Sequence, residues 1–373
     1  MKHLSIAILW LCSWLCSCQR NTVVQSSGGD TLQMKYARLL TLIHHDDYEE
    51  AIIFNPWEAG KVLHRYLLVP RESLSRWKDT SDATVVGVPL ERSVVFTASH
   101  AYLLAQLDAA DAIAGVCDSR YMHNPVVAQQ MTDGRTIDCG DGMHPNLERI
   151  LQTHAQALFL SPFEHSGGYG AVEKLNIPLI ECADYMEQTA LGRAEWMKFY
   201  GMLVGRKQQA DSLFTVVENQ YNILKGIAAK TTKRPMMLTE RKTGSVWYCP
   251  GGKSTMSSML QDAHATHLLT TDKHSGSVPL SPEKIILNGQ KIDCWAFHDD
   301  QSQRISYQSL LAEWHGYKTI KAFQQHNIYV CNSMTTNYFD EIPFRPDFLL
   351  QELIIMLHPE LMPDDTLKYY QRL

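Results

Sequence analysis

The chain alternates between short apolar runs and longer segments of helical periodicity, and this rhythm is clearest between residues 91 and 185. Compact apolar runs such as "SVVF" and "ALFL" are typical of buried strands, and the segment "HAYLLAQLDAADAI" has helical spacing. Strands that alternate with helices at this spacing predict a parallel sheet built from βα units. Residues 91–185 are therefore predicted to form a first α/β lobe, the N-lobe.

Residues 186–230 break this rhythm because they contain no strand-like run. Gly201 and Gly205 interrupt the helical pattern, and one helix is predicted from Arg206 to Ala229. At 1.5 Å per residue it would be roughly 35 Å long, about the height of a small domain. This position between two βα regions indicates a connecting helical segment, although a long surface helix within one domain has the same pattern. The apolar positions at helical spacing are Leu213, Val217, Tyr221 and Leu224.

The strand–helix rhythm returns after residue 230 and continues to the end of the chain, so residues 231–373 are predicted to form a C-lobe. Each lobe contains one short helix that carries a glutamate in its first turn, "NLERI" at 146–150 and "SPEKI" at 281–285. An apolar run follows each of them. The predicted fold class is α/β, with two Rossmann-like βα lobes joined by one long backbone helix.

The N-terminus has the pattern of an export signal. Residues 1–17 carry one lysine and then an apolar stretch that is short for a membrane span, as in a signal peptide. The end of this stretch, "LCSC", is similar to a bacterial lipoprotein box, in which Cys18 would be acylated and would anchor the chain to a membrane. A plain secretory signal is the alternative. Residues 18–33 are predicted to be a flexible tether, and 34–90 an N-terminal elaboration with short strand-like runs.

Composition narrows the classes of function further. The 373-residue chain has a net charge of −6, and nothing in it resembles a basic nucleic-acid surface. Six cysteines follow Cys18, none in a C-x-x-C pair, and each lies in or beside an apolar run, which predicts buried free thiols. No H-E-x-x-H or G-x-S-x-G motif is present, so metalloprotease and serine-hydrolase chemistry lack their usual signatures. "PGGKS" fails as a phosphate loop because Trp247 stands where the first glycine is required.

The order of elements, the helix between lobes and the stretch "GGKSTMSSMLQDAHATHLLTTDKHSGSVPLSPEKI" resemble the helical-backbone (class III) periplasmic substrate-binding proteins of bacterial ABC importers. The branch that serves ferric siderophores, haem and cobalamin is the most similar. The resemblance covers roughly residues 90 to 373 and implies a ligand cleft between the lobes. It implies a membrane-anchored periplasmic receptor that delivers its ligand to a permease dimer in the inner membrane. Neither catalysis nor a resident cofactor or metal belongs to that role.

In this family a glutamate on each lobe pairs with arginines of the permease dimer, and the matching positions are Glu148 and Glu283. Acidic residues also favour first turns because of the helix dipole alone, so the pattern has a purely structural explanation as well.

The cleft residues implied by the resemblance come from loops at the strand ends of both lobes, where rings would supply contact area and arginines charge. Several have a structural alternative, since Trp247 and Tyr248 on a strand are often core residues. The expected ligand is a ferric siderophore or haem; a corrinoid-binding receptor and an exported hydrolase are the alternatives. The candidates are Ser99, Tyr121, His165 and Tyr169 from the N-lobe, and Arg241, Trp247, Tyr248, His274, Tyr338 and Arg345 from the C-lobe.

Overall fold

The computed structural model describes residues 28–78, 82–164 and 168–373. The predicted signal peptide, Cys18, most of the predicted tether and His165 lie outside this part of the chain. Within the described residues, none of the helices combines the length and apolar character that a bilayer crossing requires.

The segment before the N-lobe forms a five-stranded sheet, which the sequence pattern had indicated only as short strand-like runs. Strands β1 to β4 are antiparallel neighbours in chain order, and β5 pairs with β4 in parallel. The first strand falls within the range expected to be a tether. The strands are β1 (Asp30–Leu32), β2 (Leu40–His44), β3 (Glu49–Phe54), β4 (Val62–Pro70) and β5 (Thr84–Val88).

The N-lobe is a parallel sheet with the strand order β10-β9-β6-β7-β8, as the βα rhythm predicts. All residues of β6, β7 and β9 are buried, which explains why these strands read as continuous apolar runs. The strands are β6 (Ser93–Val95), β7 (Ile113–Val116), β8 (Ile137–Asp138), β9 (Ala157–Leu160) and β10 (Leu179–Glu181), and the helices are α1 (Ala98–Gln106), α2 (Pro125–Thr132) and α3 (Leu147–Gln152).

Three helices form the connecting segment: α4 (Ala190–Glu195), α5 (Met197–Leu203) and α6 (Lys207–Ala228). The predicted long helix is confirmed, with Arg206 and Ala229 as its flanking residues. A side chain at Gly201 would clash with Ala210, so this glycine lets α5 and α6 approach closely. Phe214 is fully buried on this helix, and Leu213 beside it is half-buried and packs against the same core.

The buried face of α6 packs against α5 near one end and against α12 (Pro346–Leu357) of the C-lobe. Its opposite face is exposed. Each large apolar side chain on the buried face contributes roughly 2 kcal/mol by leaving water. The helix is therefore a structural part of one continuous core, which extends from the N-terminal sheet through the connecting segment to the C-lobe helices. The buried positions are Ala210, Phe214, Val217, Tyr221, Leu224 and Ala228.

The C-lobe repeats part of the N-lobe pattern. β15 pairs in parallel with β11 and β16, as β9 does with β6 and β10, and the terminal β17 adds an antiparallel edge. The main strands are β11 (Met237–Thr239), β15 (Cys294–Asp299), β16 (Ile328–Asn332) and β17 (Tyr370–Arg372), and the helices besides α12 are α7 (Thr255–Asp262), α8 (Pro282–Asn288), α9 (Tyr307–Glu313), α10 (Lys321–Gln324) and α11 (Tyr338–Glu341).

A separate antiparallel sheet distinguishes the C-lobe from the N-lobe. It consists of β12 (Lys242–Thr243), β13 (Val246–Pro250) and β14 (Ser277–Leu280). In β13, Trp247 and Cys249 are buried while Tyr248 is exposed, an alternation that suits a sheet with one face in water. The six described cysteines are all buried and free, which confirms the prediction for this part of the chain.

Candidate functional site

The carboxyl end of β6 leads directly into α1, and this junction places polar groups where the lobes meet. Thr97 caps α1, and Ser99 and His100 in its first turn are buried. The His100 ring lies 2.9 Å from a carboxylate oxygen of Asp184 and 3.1 Å from the hydroxyl of Tyr200. The predicted ligand residue Ser99 thus lies beside a buried hydrogen-bond network.

Asp184 is the centre of that network. Its second oxygen accepts a hydrogen bond from Arg193 at 3.0 Å, and the Tyr200 hydroxyl donates to the first oxygen at 2.8 Å. Burial alone would raise the pKa of Asp184, but its attraction to His100 and Arg193 and the hydrogen bonds outweigh burial and lower the pKa to about 2. The ionised Asp184 carboxylate therefore links α1, the end of the N-lobe and the connecting segment through its hydrogen bonds.

The two lobes touch where α1 of the N-lobe packs against α11 of the C-lobe. Phe344, just after α11, lies edge-on to His100 with the ring centroids 5.6 Å apart. Tyr338, a predicted ligand residue at the start of α11, is 5% exposed and is packed against the rings of Tyr369 and Tyr370. The lobes are therefore in direct contact at α1 and α11, and little of the Tyr338 ring is left for a ligand.

Asp340 of α11 is buried at this contact, and its Oδ2 atom has no hydrogen-bond partner among the described residues. Burial raises the pKa of its carboxyl to about 6, and nearby His123 of the N-lobe opposes part of the rise. The carboxyl is therefore a titratable group in the interface between the lobes.

Exposed aromatic rings flank the Asp340 contact in both lobes. Tyr121, two residues before His123, is 46% exposed and has Arg120 over its ring at 4.7 Å. Phe339, next to Asp340, is 55% exposed. Each lobe therefore carries an exposed aromatic ring close in sequence to this contact.

His298 near the end of β15 lies beside the exposed Phe339 ring. Its Nδ1 lies 2.8 Å from the Glu240 carboxylate and its Nε2 lies 3.1 Å from the Tyr370 hydroxyl. Its ring is 5.0 Å from that of Phe339, centroid to centroid. Both ring nitrogens therefore have partners, and the imidazole is fixed behind the exposed phenyl ring.

The two predicted arginines are already paired within the C-lobe. Arg241 forms ion pairs with Asp299 at 2.7 Å and Glu313 at 3.1 Å. Arg345 binds both oxygens of Asp347, at 2.9 and 2.6 Å. An anionic ligand would have to compete with these carboxylates, so the structure assigns both arginines a structural pairing that the sequence pattern did not show.

The remaining predicted ligand residues do not converge on one place. Trp247 is completely buried, donates to the Thr239 carbonyl and packs against Trp295, so its ring has no surface to offer a ligand. Tyr248 is exposed on β13, and His274 is an exposed side chain bound to Asp272. Tyr169 donates its hydroxyl proton to Glu181 at the end of β10, on the side of the N-lobe that faces the N-terminal sheet.

Glu148 and Glu283 occupy matching places in the two lobes. Each is the second residue of a short helix, α3 or α8, that precedes the strand paired with the first strand of its lobe. Both side chains are exposed. Backbone N–H at Glu283 and the hydroxyl of Ser281 lower the pKa of the Glu283 carboxyl. Both lobes thus present a carboxylate from equivalent first turns.

Two buried glutamates with structural roles were not anticipated from the sequence. Glu195 accepts the backbone N–H groups of Lys35, Tyr36 and Ala37, and Glu187 accepts those of Arg38 and Leu39. The signal for Glu195 in the sequence is a single acidic residue within the helical stretch "TALGRAEWMKFY", and Glu187 lies two residues before that stretch.

The described residues form two sizeable open cavities. One of about 330 Å³ lies between the N-terminal segment, the start of the connecting segment and a C-lobe loop, with Lys35, Arg38, Gln188 and Ser275 in its lining. The other, of about 590 Å³, lies between the N-terminal sheet and the N-lobe. Across the described residues, no group of three or more histidine, cysteine or carboxylate side chains is arranged to hold a metal ion.

Known proteins resemble this chain over most of its length. A family model of periplasmic binding proteins matches residues 94–335. An uncharacterized lipoprotein of Methanocaldococcus jannaschii is 23% identical over 350 residues, which is 88% of this chain and 82% of the relative. A second uncharacterized lipoprotein of the same organism is 23% identical over 355 residues, covering 91% of this chain and 86% of the relative.

Solved structures share the fold at low sequence identity. The periplasmic haem-binding protein RhuT from Roseiflexus sp. RS-1 matches with a TM-score of 0.58 at 18% identity, over 73% of this chain and 99% of that one. The molybdate-binding protein MolA from Haemophilus influenzae matches with a TM-score of 0.59 at 15% identity, over 76% and 90% of the two chains. The two parallel-stranded lobes, the long α6 between them and the family match together show that this chain belongs to the periplasmic binding proteins, in the class whose lobes are joined by a helical backbone.

Proposed function

We propose that this chain is an exported lipoprotein receptor that binds an iron complex, a ferric siderophore or haem, and delivers it to the permease of an ABC importer. The observation that carries the proposal is the matched pair of exposed first-turn carboxylates, Glu148 and Glu283, on two lobes of a periplasmic binding protein. Arginines of a permease dimer would pair with such carboxylates in a directional way. Cys18 would carry the lipid that holds the receptor at the membrane.

We infer that Tyr121 and Phe339 form opposite walls of the ligand cleft, which would favour a flat ligand with an apolar body. Tyr121 and Phe339 supply exposed rings, and His298 fixes the second ring from behind. Arg241 and Arg345 are neutralised by neighbouring carboxylates, which leaves the exposed Arg120 beside Tyr121 as a cation near the wall. Haem and aryl-bearing ferric siderophores suit this combination better than a small, highly charged anion.

One rigid connector limits how far the lobes can move. Because α6 is packed along one face against α5 and α12, lobe closure is proposed to be a rotation of only a few degrees. The receptor role needs no catalysis, and the importer's ATP-driven energy would come from another subunit.

The test is a titration of the purified, delipidated protein with haem, a ferric hydroxamate, a ferric catecholate and cobalamin, followed by visible absorption. One of the iron complexes is expected to give a saturable spectral change. Tyr121→Ala and Phe339→Ala should each weaken its binding roughly tenfold by removing ring contact. Val216→Ala, at an exposed site on α6, is the matched control and should bind normally.

Saturable binding of cobalamin alone would overturn the iron assignment in favour of a corrinoid receptor. Binding of none of the four ligands, together with turnover of an ester or amide substrate, would overturn the receptor proposal in favour of an exported hydrolase.

A further inference from the structure

The cavity of about 590 Å³ between the N-terminal sheet and the N-lobe has no role in the proposed receptor cycle. Its described lining residues come from these two parts, and none belongs to the C-lobe. One wall, from the N-terminal sheet, precedes residues 94–335 that match the family model. The cavity is therefore separate from the space between the lobes.

Behind the cavity, hydrogen bonds and ring stacking join the N-terminal sheet to β10 of the N-lobe. Tyr66 of β4 is completely buried, donates its hydroxyl proton to the Leu179 carbonyl at 2.8 Å and accepts the Glu181 backbone N–H at 2.8 Å. The His64 ring stacks on Tyr66 with centroids 4.4 Å apart, and its Nε2 lies 2.8 Å from the Thr84 hydroxyl. The N-terminal sheet thus closes the edge of β10, and the cavity wall exists before any ligand arrives.

Aromatic side chains line the mouth of the cavity from both sides. The loop between β3 and β4 places Trp57, because the Asn55 side chain accepts the Trp57 backbone N–H at 2.9 Å. Phe163, after β9, is 47% exposed and stands on the N-lobe side together with Tyr169. A cavity of this volume with rings on both sides can enclose a small organic molecule.

Among the described residues that line the cavity, the carboxylates of Glu173 and Glu181 have no lysine or arginine beside them in the lining. Burial, together with the charge of Glu173, raises the pKa of Glu181, while the Tyr169 hydroxyl lowers it by donating a hydrogen bond. A carboxylate that is partly desolvated beside a second carboxylate gains from a cation placed nearby.

We propose that this cavity is a second ligand site, which binds an organic ammonium ion with an apolar or aromatic body. The ammonium group would lie against the Trp57 ring and near Glu181, where cation–π attraction and the two carboxylates act together. The apolar body would pack on Phe163 and Leu63. This inference does not rest on the identity of the ligand in the cleft.

The test is calorimetric titration of the purified full-length protein with three probes of similar shape: benzyltrimethylammonium, benzyl alcohol and benzenesulfonate. The cation is expected to bind with a stoichiometry near one and at least roughly tenfold more tightly than the neutral and anionic probes. Equal binding of all three probes, or no binding of the cation at millimolar concentration, would overturn the proposal.

Two variants locate the bound cation. Trp57→Ala and Glu181→Gln should each weaken binding of benzyltrimethylammonium roughly tenfold, whereas Trp77→Phe, outside the lining, should not. If Trp57→Ala fails to fold, Glu181→Gln decides, because glutamine keeps an acceptor for Tyr169 and removes the charge. Unchanged affinity in the folded variants would place the cation elsewhere and overturn the proposal. Binding of the iron complex should be the same in both variants, so failure of this site and failure of the proposed receptor role are distinguishable.

Discussion

The carboxylate of Glu195 accepts the backbone N–H of Tyr36 at 2.7 Å, which joins the segment between β1 and β2 to helix α4, 159 residues later. The same carboxylate accepts the N–H groups of Lys35 and Ala37 at 3.0 and 2.9 Å. Glu195 is completely buried, and its hydrogen bond with Ala37 is buried too, so the Ala37 N–H would find no water in its place. A charged acceptor shared by three successive N–H groups therefore fixes the N-terminal segment to the connecting segment.

Glu195→Ala is expected to lower the free energy of unfolding by about 3 kcal/mol, because it removes three hydrogen bonds to a carboxylate and leaves the buried Ala37 N–H without an acceptor. Urea denaturation followed by circular dichroism measures the change. Glu218→Gln is the control, since Glu218 pairs with the side chain of Lys35, which is 64% exposed, and such pairs contribute less than about 1 kcal/mol. Similar losses in the two variants would contradict a special role for Glu195.

Asp184→Asn should be strongly destabilising near neutral pH and nearly harmless in acid. The pKa of Asp184 in the folded protein is about 2, below its ordinary value of 3.8, so its stabilisation is complete above about pH 4 and disappears as the pH falls to 2. At pH 7 the loss should be about 3 kcal/mol, because Arg193 and His100 lose a buried charged partner.

Urea denaturation of wild type and Asp184→Asn at pH 7, 4 and 2.5 measures the predicted convergence. Asp211→Asn, at an exposed position of α6, should match wild type throughout. A difference that stays constant down to pH 2.5 would show that Asp184 acts through its shape rather than its charge.

Asp340→Asn should change the stability in the opposite direction and make the protein more stable near neutral pH. The folded-state pKa of about 6 lies above the ordinary 3.8, so the fold favours the protonated carboxyl and loses stability as the pH rises from about 4 to 6. The rise of about two pKa units corresponds to roughly 3 kcal/mol, so the variant should be more stable than wild type by up to about 3 kcal/mol at pH 7 and equal to it at pH 4.

The measurement is the unfolding midpoint of both proteins across this pH range, with Asp300→Asn at an exposed position as the control. Loss of stability in Asp340→Asn at pH 7 would mean that the ionised carboxylate is a necessary partner of His123.

Charge reversal at the two first-turn glutamates tests delivery to the permease. Glu148→Arg and Glu283→Arg should each reduce uptake of the bound iron complex roughly tenfold and leave the Kd for that complex unchanged. Uptake is measured with the permease reconstituted in liposomes. Glu72→Arg, at another exposed first-turn glutamate, should transport normally. Normal uptake by the double variant would indicate a surface lipoprotein that binds its ligand without meeting a permease.

The fold was predictable wherever a local period determines the structure. The buried runs of β6 and β9 and the stripe along α6 follow from the spacing of apolar residues, which needs no knowledge of the tertiary structure. The N-terminal sheet was harder to predict from the sequence, because Asp46 and Asp47 in a charged turn separate β2 from β3. Buried and exposed residues also alternate only weakly along its strands.

The candidate site was less predictable, because the partners of a side chain depend on tertiary packing. Arg241 and Asp299 are 58 residues apart in the chain and come together only when β11 pairs with β15. Trp247 becomes buried only when Trp295 and Tyr317 pack against it. The positions of Glu148 and Glu283 were predictable because they depend on helix starts, which are local. Their pairing with a permease stays a prediction.

The hydrogen bonds from residues 35–39 to Glu187 and Glu195 would have a mechanical consequence if a lipid at Cys18 held the chain, as we propose. A pull from Cys18 would pass through β1 of the N-terminal sheet and then reach the connecting segment, and it would not act directly on the C-lobe. Thermal motion of the membrane would then tilt the whole receptor without separating its two lobes. Glu148 and Glu283 would remain equally accessible to the permease.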